Sequence, residues 1–218
     1  MTEFLKVKNI DLSYVKKDLK IRILKGLNLK VAKGSFVAIT GASGSGKTSL
    51  LRVICGLESP SKGEIELDKN LLCSQEVFIP TEKRDIGLVI QEKVLFPHLN
   101  AKENIEFIMV LQNINAKTIQ ERSDDLLDRM GIEEQKDRRP SELSGGQQQR
   151  VAVARALASR PKFVLADEPT ANLDTGSTDA LLDVMIKLNK EEKITFIFST
   201  HDQRVIDRAK RIIKLVDG

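Results

Sequence analysis

The sequence predicts an α/β fold, with a parallel-stranded core, an antiparallel β subdomain before it and a helical subdomain inserted into it. Three observations predict this architecture. Apolar and polar residues alternate over the first thirty residues, as in half-buried antiparallel strands. Continuous apolar runs between helical stretches are typical of buried parallel strands. A block with helical periodicity extends from about residue 100 to residue 159 of the 218-residue chain.

The alternating pattern predicts the antiparallel strands. Leu27, Leu29 and Val31 are separated by polar residues. Because the alternation returns in residues 64–67, after a turn-rich segment, we expect both pieces in one small sheet. Parallel strands are predicted for the apolar runs 36–39, 163–166 and 195–198.

A capping box opens the helical block, since Asn100 is followed three residues later by Glu103. Helical spacing predicts the apolar face of this first helix at Ile105, Ile108 and Leu111. A second helix is predicted from three apolar residues and a terminal glycine: Leu126, Leu127, Met130 and Gly131.

The composition indicates a cytoplasmic globular protein. Hydrophobic residues make up 41% and charged residues 30% of the chain, as in soluble proteins. No apolar segment approaches the roughly 18 residues that a membrane helix needs, and the N-terminus lacks the apolar region of a signal peptide. Cys55 and Cys73 lack metal-ligand spacing, so we expect them as small core residues in a reducing compartment.

The charge pattern bears on possible partners. A net charge of +4 could suit nucleic acid or an anionic membrane, but basic and acidic residues are interleaved, which favours an ordinary solvated surface. Aromatic residues are 4% of the chain, with no Trp and one Tyr, so stacking platforms for single-stranded nucleic acid are hard to assemble. No nucleic-acid partner is expected.

The strongest motif is a phosphate-binding loop, GASGSGKT, at residues 41–48. It lies between a predicted strand and a predicted helix, the context that the motif requires, which disfavours a plain glycine-rich turn. Backbone N–H groups face the phosphates, Lys47 supplies a cation to the β- and γ-phosphates, and Thr48 offers a hydroxyl to Mg²⁺. The predicted ATP contacts here are Gly41, Ala42, Ser43, Gly44, Ser45, Gly46, Lys47, Thr48 and Ser49.

Two carboxylates end the apolar run at residues 163–166. Asp167 is placed to hold Mg²⁺ through its water shell, and Glu168 to orient or deprotonate the attacking water. A purely structural role is disfavoured, because unpaired carboxylates at the end of a buried strand are costly.

A second candidate phosphate site begins a later helix, at residues 143–147. Ser144 and Gln147 have capping-box spacing, which by itself needs no ligand. Capping does not explain why two consecutive glycines, Gly145 and Gly146, follow Ser144. Because glycine has no side chain, the N–H groups at this helix N-terminus are exposed, where the helix dipole favours an anion.

With these motifs in this order, the chain resembles the nucleotide-binding domain of the ATP-binding cassette (ABC) family over essentially its whole length. Residues 143–147 match the family's signature sequence. The resemblance implies a P-loop NTPase core in which Gln91 contacts Mg²⁺ and links the core to the helical subdomain. It also implies that Asp174 contacts an opposite subunit, that His201 reaches the γ-phosphate, and that Tyr14 stacks under adenine.

The resemblance implies one nucleotide-binding domain over residues 1–218, with the core and β subdomain at 1–91 and 160–218 and the helical subdomain at 92–159. One chain cannot easily bring its phosphate loop and its signature helix to the same ATP, because they lie on different subdomains. Two chains arranged head to tail would do so, in a homodimer with two ATP sites. Hydrolysis would then let the pair open.

Three classes of function are open. An ATPase subunit that drives a separate integral membrane permease is favoured, because the chain has no membrane segment and no second cassette. An ABC ATPase acting on nucleic acid or the ribosome is an alternative, although such relatives usually carry tandem cassettes, zinc modules or a coiled coil. A phosphotransferase is disfavoured by the signature motif.

Within the first class, residues 166–174 and 211–218 resemble the lipoprotein-release, macrolide-efflux and cell-division subfamily. A cell-division ATPase that moves no substrate stays an alternative. Asn172 stands where many importers have Ala, which bears on the subfamily.

The apolar loop at residues 94–99 predicts where the permease docks. Leu95 and Phe96 are expected to line a groove for one of its helices, holding the subunit at the cytoplasmic face of the membrane. The alternative is that both side chains are buried against their own helix. His98 is expected on the surface of the loop.

Overall fold

The computed structural model describes residues 3–16, 19–91, 95–171 and 173–218, with Lys16 described by its backbone alone. An antiparallel sheet contains β1 (Glu3–Lys16), β2 (Leu19–Ala32), β4 (Lys62–Leu67) and β5 (Asn70–Cys73). Its strand order is β2-β1-β4-β5. The two alternating segments therefore lie in one sheet, as predicted, with β1 between them.

A second sheet is parallel throughout and has the order β6-β7-β8-β3-β9. Its strands are β3 (Phe36–Thr40), β6 (Ile86–Val89), β7 (Phe163–Asp167), β8 (Thr195–Ser199) and β9 (Arg211–Lys214). The three continuous apolar runs form β3, β7 and β8, which are buried along almost their whole length. Because parallel strands end at one edge, the segments that follow β3, β6, β7 and β8 meet there.

Six helices connect and cover the sheets in the described part of the chain. They are α1 (Lys47–Cys55), α2 (Ala101–Leu111), α3 (Ala116–Arg129), α4 (Gly145–Ala158), α5 (Thr175–Glu191) and α6 (Gln203–Arg208). The predicted capping box at Asn100 is present, with Asn100 Oδ1 2.8 Å from the backbone nitrogen of Glu103. Gly131 follows α3 in a left-handed conformation (φ 62°), as predicted for a helix end.

The hydrophobic core has two clusters, one between the two sheets and α1, and one beneath helices α2 to α5. The prediction for Leu111 is wrong, because its side chain is 61% exposed while Ile105 and Met109 are buried. The face of α2 follows a spacing of four residues, which turns Leu111 outward. Cys55 and Cys73 are buried free thiols, as expected. None of the described helices is long and apolar enough to cross a membrane.

Candidate functional site

The loop from Gly41 to Gly46 joins β3 to α1 and encloses the Lys47 ammonium group. Lys47 Nζ donates to the carbonyls of Gly41 and Ala42, at 2.9 and 3.0 Å. Gly46 adopts φ 97°, and a Cβ there would lie 3.0 Å from the Leu24 side chain. The loop therefore depends on glycine, and backbone N–H groups together with a lysine ammonium group are donors that suit phosphates.

A cleft of about 530 Å³ opens on this loop. It brings together residues from the carboxyl ends of four parallel strands, as the shared edge requires. Gln91 follows β6, Glu168 follows β7, and Ser199 and His201 lie at the end of β8. The residues lining the cleft are Ile23, Gly41, Ser43, Gly44, Gly46, Lys47, Thr48, Ser49, Gln91, Glu168, Ser199 and His201.

Glu168 and His201 contact each other in this cleft. His201 Nδ1 lies 2.8 Å from Glu168 Oε1, and the Glu168 side chain is 12% exposed while that of His201 is 79% exposed. Glu168 has φ 47°, a left-handed conformation that costs a non-glycine residue on the order of 1–3 kcal/mol. Its backbone N–H donates to Ser199 O at 2.9 Å. The fold therefore holds this carboxylate at the cleft wall despite strain, where it can accept a proton from water.

An adjoining cleft of about 290 Å³ is lined by Thr48, Gln91 and Asp167, three residues predicted to hold a metal. Asp167 is 6% exposed, and its buried Oδ1 has no hydrogen-bond partner among the described residues. A buried carboxylate oxygen without a partner is costly, so a cation fits here. Hydroxyl, amide and carboxylate oxygens suit Mg²⁺.

No cluster of three or more His, Cys, Asp or Glu suited to a metal occurs in residues 3–16, 19–91, 95–171 and 173–218. The lining of the two clefts provides a single buried carboxylate, Asp167, near Thr48 and Gln91. Such a sparse ligand set fits an ion that substrate phosphates help to hold, which is how Mg²⁺ binds in many nucleotide sites.

The signature residues lie apart from these clefts, at the N-terminus of α4. Ser144 and Gln147 form the predicted capping box, with Gln147 Oε1 2.8 Å from Ser144 N. Ser144 and Gly145 are exposed. A Cβ at Gly146 would lie 2.8 Å from Ser177 Oγ at the start of α5, so packing against α5 also favours glycine at this position.

Asp174 caps the N-terminus of α5, a role that the sequence interpretation missed. Its Oδ1 accepts from Ser177 N at 2.8 Å, and its Oδ2 accepts from Ser177 Oγ at 2.6 Å. The hydrogen bond from the Ser177 hydroxyl lowers the pKa of Asp174 below its usual value. The Asp-x-x-Ser spacing was a helix-start signal present in the sequence. Asn172, predicted to bear on the subfamily, lies outside the described residues.

Tyr14 lies on β1 beside α1 and borders the clefts without lining them. Its hydroxyl donates to Glu58 and lies 3.4 Å from Ser49 Oγ. Burial and the Glu58 contact raise the pKa of the Tyr14 hydroxyl. The side chain is 41% exposed, so part of the ring is free to meet a ligand.

The loop after Gln91 contains one buried and one accessible apolar residue, Leu95 and Phe96. Val94 lies outside the described residues. Leu95 is 7% exposed and packs in the core beneath helices α2 to α5, so the prediction that it lines a docking groove is wrong. Phe96 does line a groove, of about 380 Å³. Its ring packs 4.5 Å from that of Phe107 on α2, and Arg155 Cζ lies 5.4 Å from its centroid. His98 is exposed, as expected.

Two residues that line the cleft of about 530 Å³ were not predicted from the sequence. Ile23 on β2 contributes an apolar wall, and nothing in its strand pattern distinguishes it. Ser199 is buried, and its Oγ has no hydrogen-bond partner among the described residues. Its position at the carboxyl end of a buried strand was the signal that could have identified it.

Comparison with known proteins agrees with this architecture. The ABC transporter family model matches residues 24–171. The chain is 38% identical over 221 residues to the lipoprotein-releasing system ATP-binding protein LolD of Syntrophus aciditrophicus, covering 98% of this chain and 97% of that protein. It is 39% identical over 222 residues to the macrolide export ATP-binding/permease protein MacB of Syntrophobacter fumaroxidans, of which it spans 31%.

A solved structure supports the same assignment. The ATP-binding cassette MJ0796, in a dimeric post-hydrolysis state bound to ADP and Pi, is 37% identical, with a TM-score of 0.88 over 98% of this chain and 95% of that one. The family match covers well over half of the chain, and the sheets, helices and phosphate loop agree with it. The chain therefore belongs to the ABC transporter family and is an ABC ATPase.

Proposed function

We propose that this chain is the ATP-hydrolysing subunit of a transporter whose permease is a separate membrane protein, of the lipoprotein-release or efflux type. One observation carries the proposal: the phosphate loop, Gln91, Glu168 and His201 share a single cleft. In it Lys47 and the loop N–H groups bind the β- and γ-phosphates of ATP, and Tyr14 stacks on the adenine.

Hydrolysis is proposed to depend on five side chains around the γ-phosphate. Glu168 orients the attacking water and accepts its proton, while His201 holds the Glu168 carboxylate and contacts the γ-phosphate. Thr48, Gln91 and Asp167, which line one cleft, would hold Mg²⁺. When bound, Mg²⁺ neutralises charge on the phosphate oxygens.

Two chains are proposed to share each ATP, arranged head to tail. Ser144, Gly145, Gly146 and Gln147 are at the exposed end of α4 and do not line the cleft of their own chain. A second chain can bring them to the γ-phosphate, with Asp174 at the same junction because Ser177 lies between it and Gly146. The MJ0796 cassette, dimeric with ADP and Pi, is consistent with this arrangement.

Mixing two inactive variants tests the shared site. In a head-to-tail pair of Ser144→Arg and Lys47→Ala chains, both lesions fall on one ATP site and the other site is intact. We expect each variant alone to be nearly inactive and the mixture to recover up to about half of the wild-type rate per mixed dimer, if the two sites act independently. ATP hydrolysis is measured at several mixing ratios.

The control for mixing is a pair of chains that both carry Lys47→Ala, one tagged and one untagged, which must stay inactive. Pull-down through the tag verifies that mixed dimers form. If mixed dimers are present and hydrolysis is absent at every ratio, the head-to-tail arrangement is contradicted.

The groove at Phe96 is proposed as the docking site for a cytoplasmic segment of the permease, placing the subunit at the cytoplasmic face of the membrane. The groove begins at strand β6, whose end carries Gln91, and continues onto the helical subdomain, for which we propose residues 92–159. A contact here is thus adjacent to the ATP site. The residues that line the groove are Ile86, Gly87, Leu88, Ile90, Phe96, Phe107, Ile108, Arg155, Ala156 and Ser159.

Phe96→Ala should release the permease and leave the ATPase folded. Burial of a Phe ring in an interface contributes about 1.5–3 kcal/mol, so we expect retention of the permease to fall about tenfold to a hundredfold. Tagged chain is recovered from detergent-solubilised native membranes, and the co-purifying multi-span protein is quantified by mass spectrometry. Hydrolysis by the isolated subunit should change little.

Two neighbouring residues provide matched controls. Leu111→Ala removes an exposed apolar side chain outside the groove and should retain the permease. Leu95→Ala should lower the free energy of unfolding by about 2–5 kcal/mol, because Leu95 is a core residue. If Phe96→Ala loses comparable stability and stays bound to the permease, the docking surface is elsewhere.

A further inference from the structure

Arg84 is a fully buried arginine at the far end of the phosphate-loop helix from the ATP cleft. It is 2% exposed, and its hydrogen-bond acceptors among the described residues are three backbone carbonyls, while its buried Nη2 has no partner there. Nε donates to Ile79 O at 2.7 Å, and Nη1 donates to Val53 O and Ile54 O at 3.0 and 2.8 Å. The carbonyls of Val53 and Ile54 lie in the last turn of α1, where the negative end of the helix dipole favours a cation.

The surroundings of Arg84 are shaped to hold the guanidinium. Gly56, which caps the C-terminus of α1, has φ 87°, and a Cβ there would lie 2.4 Å from Arg84 Nε. The Phe78 ring covers the guanidinium, with its centroid 5.1 Å from Cζ. Burial lowers the pKa of Arg84, so these carbonyls and the ring must stabilise its charge. Such a costly group is expected to fix the position of the elements it joins.

The two elements that Arg84 joins both lead to the ATP cleft. Helix α1 begins at Lys47 and carries Thr48 in its first turn. Strand β6 begins at Ile86, two residues after Arg84, and is followed by Gln91. Thr48 and Gln91 line both clefts together. Arg84 therefore joins the C-terminal end of α1 to the segment before β6. The opposite ends of α1 and β6 carry or precede Thr48 and Gln91, the two proposed metal ligands.

We propose that Arg84 is a positioning residue that sets the distance between Thr48 and Gln91, and thereby the geometry of the Mg²⁺ site. Arg84 touches neither nucleotide nor metal, and it acts through α1 and β6. The proposal rests on the function proposed above, which assigns Thr48 and Gln91 to Mg²⁺.

The test measures ATP hydrolysis against free Mg²⁺ at saturating ATP. Substitution of residues that orient metal ligands typically weakens metal affinity 10- to 100-fold, so we expect Arg84→Met to raise the half-saturating Mg²⁺ concentration about tenfold or more. Arg84→Lys should show a smaller increase, because an ammonium can still reach part of the carbonyl set. ATP binding in EDTA, measured by calorimetry, should change little.

Arg122 supplies a control for burial of an arginine. It is 6% exposed and donates to Leu157 O at the end of α4, at 3.2 Å, away from both clefts. Arg122→Met should lower the melting temperature and leave the Mg²⁺ dependence at the wild-type value. Gly56→Ala should displace the Arg84 guanidinium without removing its charge, because the added Cβ would lie 2.4 Å from Nε. This variant tests the proposal if Arg84→Met does not fold.

The proposal is overturned if folded Arg84→Met or Gly56→Ala has the wild-type Mg²⁺ half-saturation, or if Arg122→Met shifts it equally. Thr48→Ala separates this failure from failure of the metal assignment. If Thr48→Ala leaves the Mg²⁺ dependence unchanged, the assignment of Thr48 is wrong, whatever Arg84 does.

Discussion

Glu168→Gln should bind MgATP and hydrolyse it about 10²–10⁴ times more slowly than the wild type, the usual contribution of general base catalysis. The amide cannot accept the proton of the attacking water, yet it preserves the size of the side chain and can still hydrogen-bond to His201. Steady-state hydrolysis and equilibrium ATP binding are measured on the same preparation. Binding should stay within a fewfold of the wild-type value.

Slow turnover should also accumulate the ATP-bound dimer. Size-exclusion chromatography with saturating MgATP is expected to show Glu168→Gln as a dimer and the same variant without nucleotide as a monomer. Glu134→Gln changes an exposed carboxylate outside both clefts and should behave as wild type. Normal hydrolysis by a Glu168→Gln protein that stays monomeric would contradict both the base assignment and the ATP-driven dimer.

Lys47→Ala should abolish productive ATP binding. A hydrogen bond to a charged group contributes about 1.5–3 kcal/mol, so loss of one such contact alone weakens binding by roughly 10- to 150-fold. Lys47 also bonds to the carbonyls of Gly41 and Ala42, so its removal leaves the empty loop less ordered and adds to this loss. ATP affinity is measured by calorimetry, with and without Mg²⁺.

The Lys47 result needs a control for the general loss of a positive charge. Lys117→Ala removes a lysine whose side chain is 85% exposed on α3, and its ATP affinity should equal that of the wild type. Unfolding curves should show both variants folded at the assay temperature. If Lys47→Ala hydrolyses ATP at the wild-type rate, the phosphate-loop assignment fails.

Local sequence was sufficient for the features that depend on neighbouring residues. The strand–loop–helix setting of residues 41–48, the capping boxes at Asn100 and Ser144, and the strand that ends at Asp167 were all predicted correctly. Hydrogen bonds to caps and turns are made within about four residues, so their pattern is visible in one short segment. The cap formed by Asp174 on Ser177 is equally local and was missed although its spacing is present in the sequence. Residues that act together through the fold were harder to predict, as the cleft residue Ser199 shows.

Leu95 and Phe96 show that the pattern of apolar residues does not always predict which side chains are buried. They are adjacent and both large, and nothing in the sequence separates them, yet Leu95 is buried in the core and Phe96 borders a groove. The packing of α2 and α4 decides which of the two side chains turns inward. Similarly, Leu111 was placed on the buried face of α2 by a spacing of three, but the buried residues of this helix follow a spacing of four, which leaves Leu111 exposed.

The sequence by itself determined the family, the order of the predicted strands and helices along the chain, and the residue types able to bind phosphate. These follow from short motifs and from hydrophobic periodicity. Only the tertiary structure decided that Glu168 pairs with His201, that Ser199 borders the same cleft, and that Arg84 lies buried behind α1. These contacts join residues far apart in the chain. The cleft contacts arise because parallel strands with long connections end at one common edge of the sheet. Arg84 instead lies at the opposite end of α1, where packing brings it against the carbonyls of Val53 and Ile54.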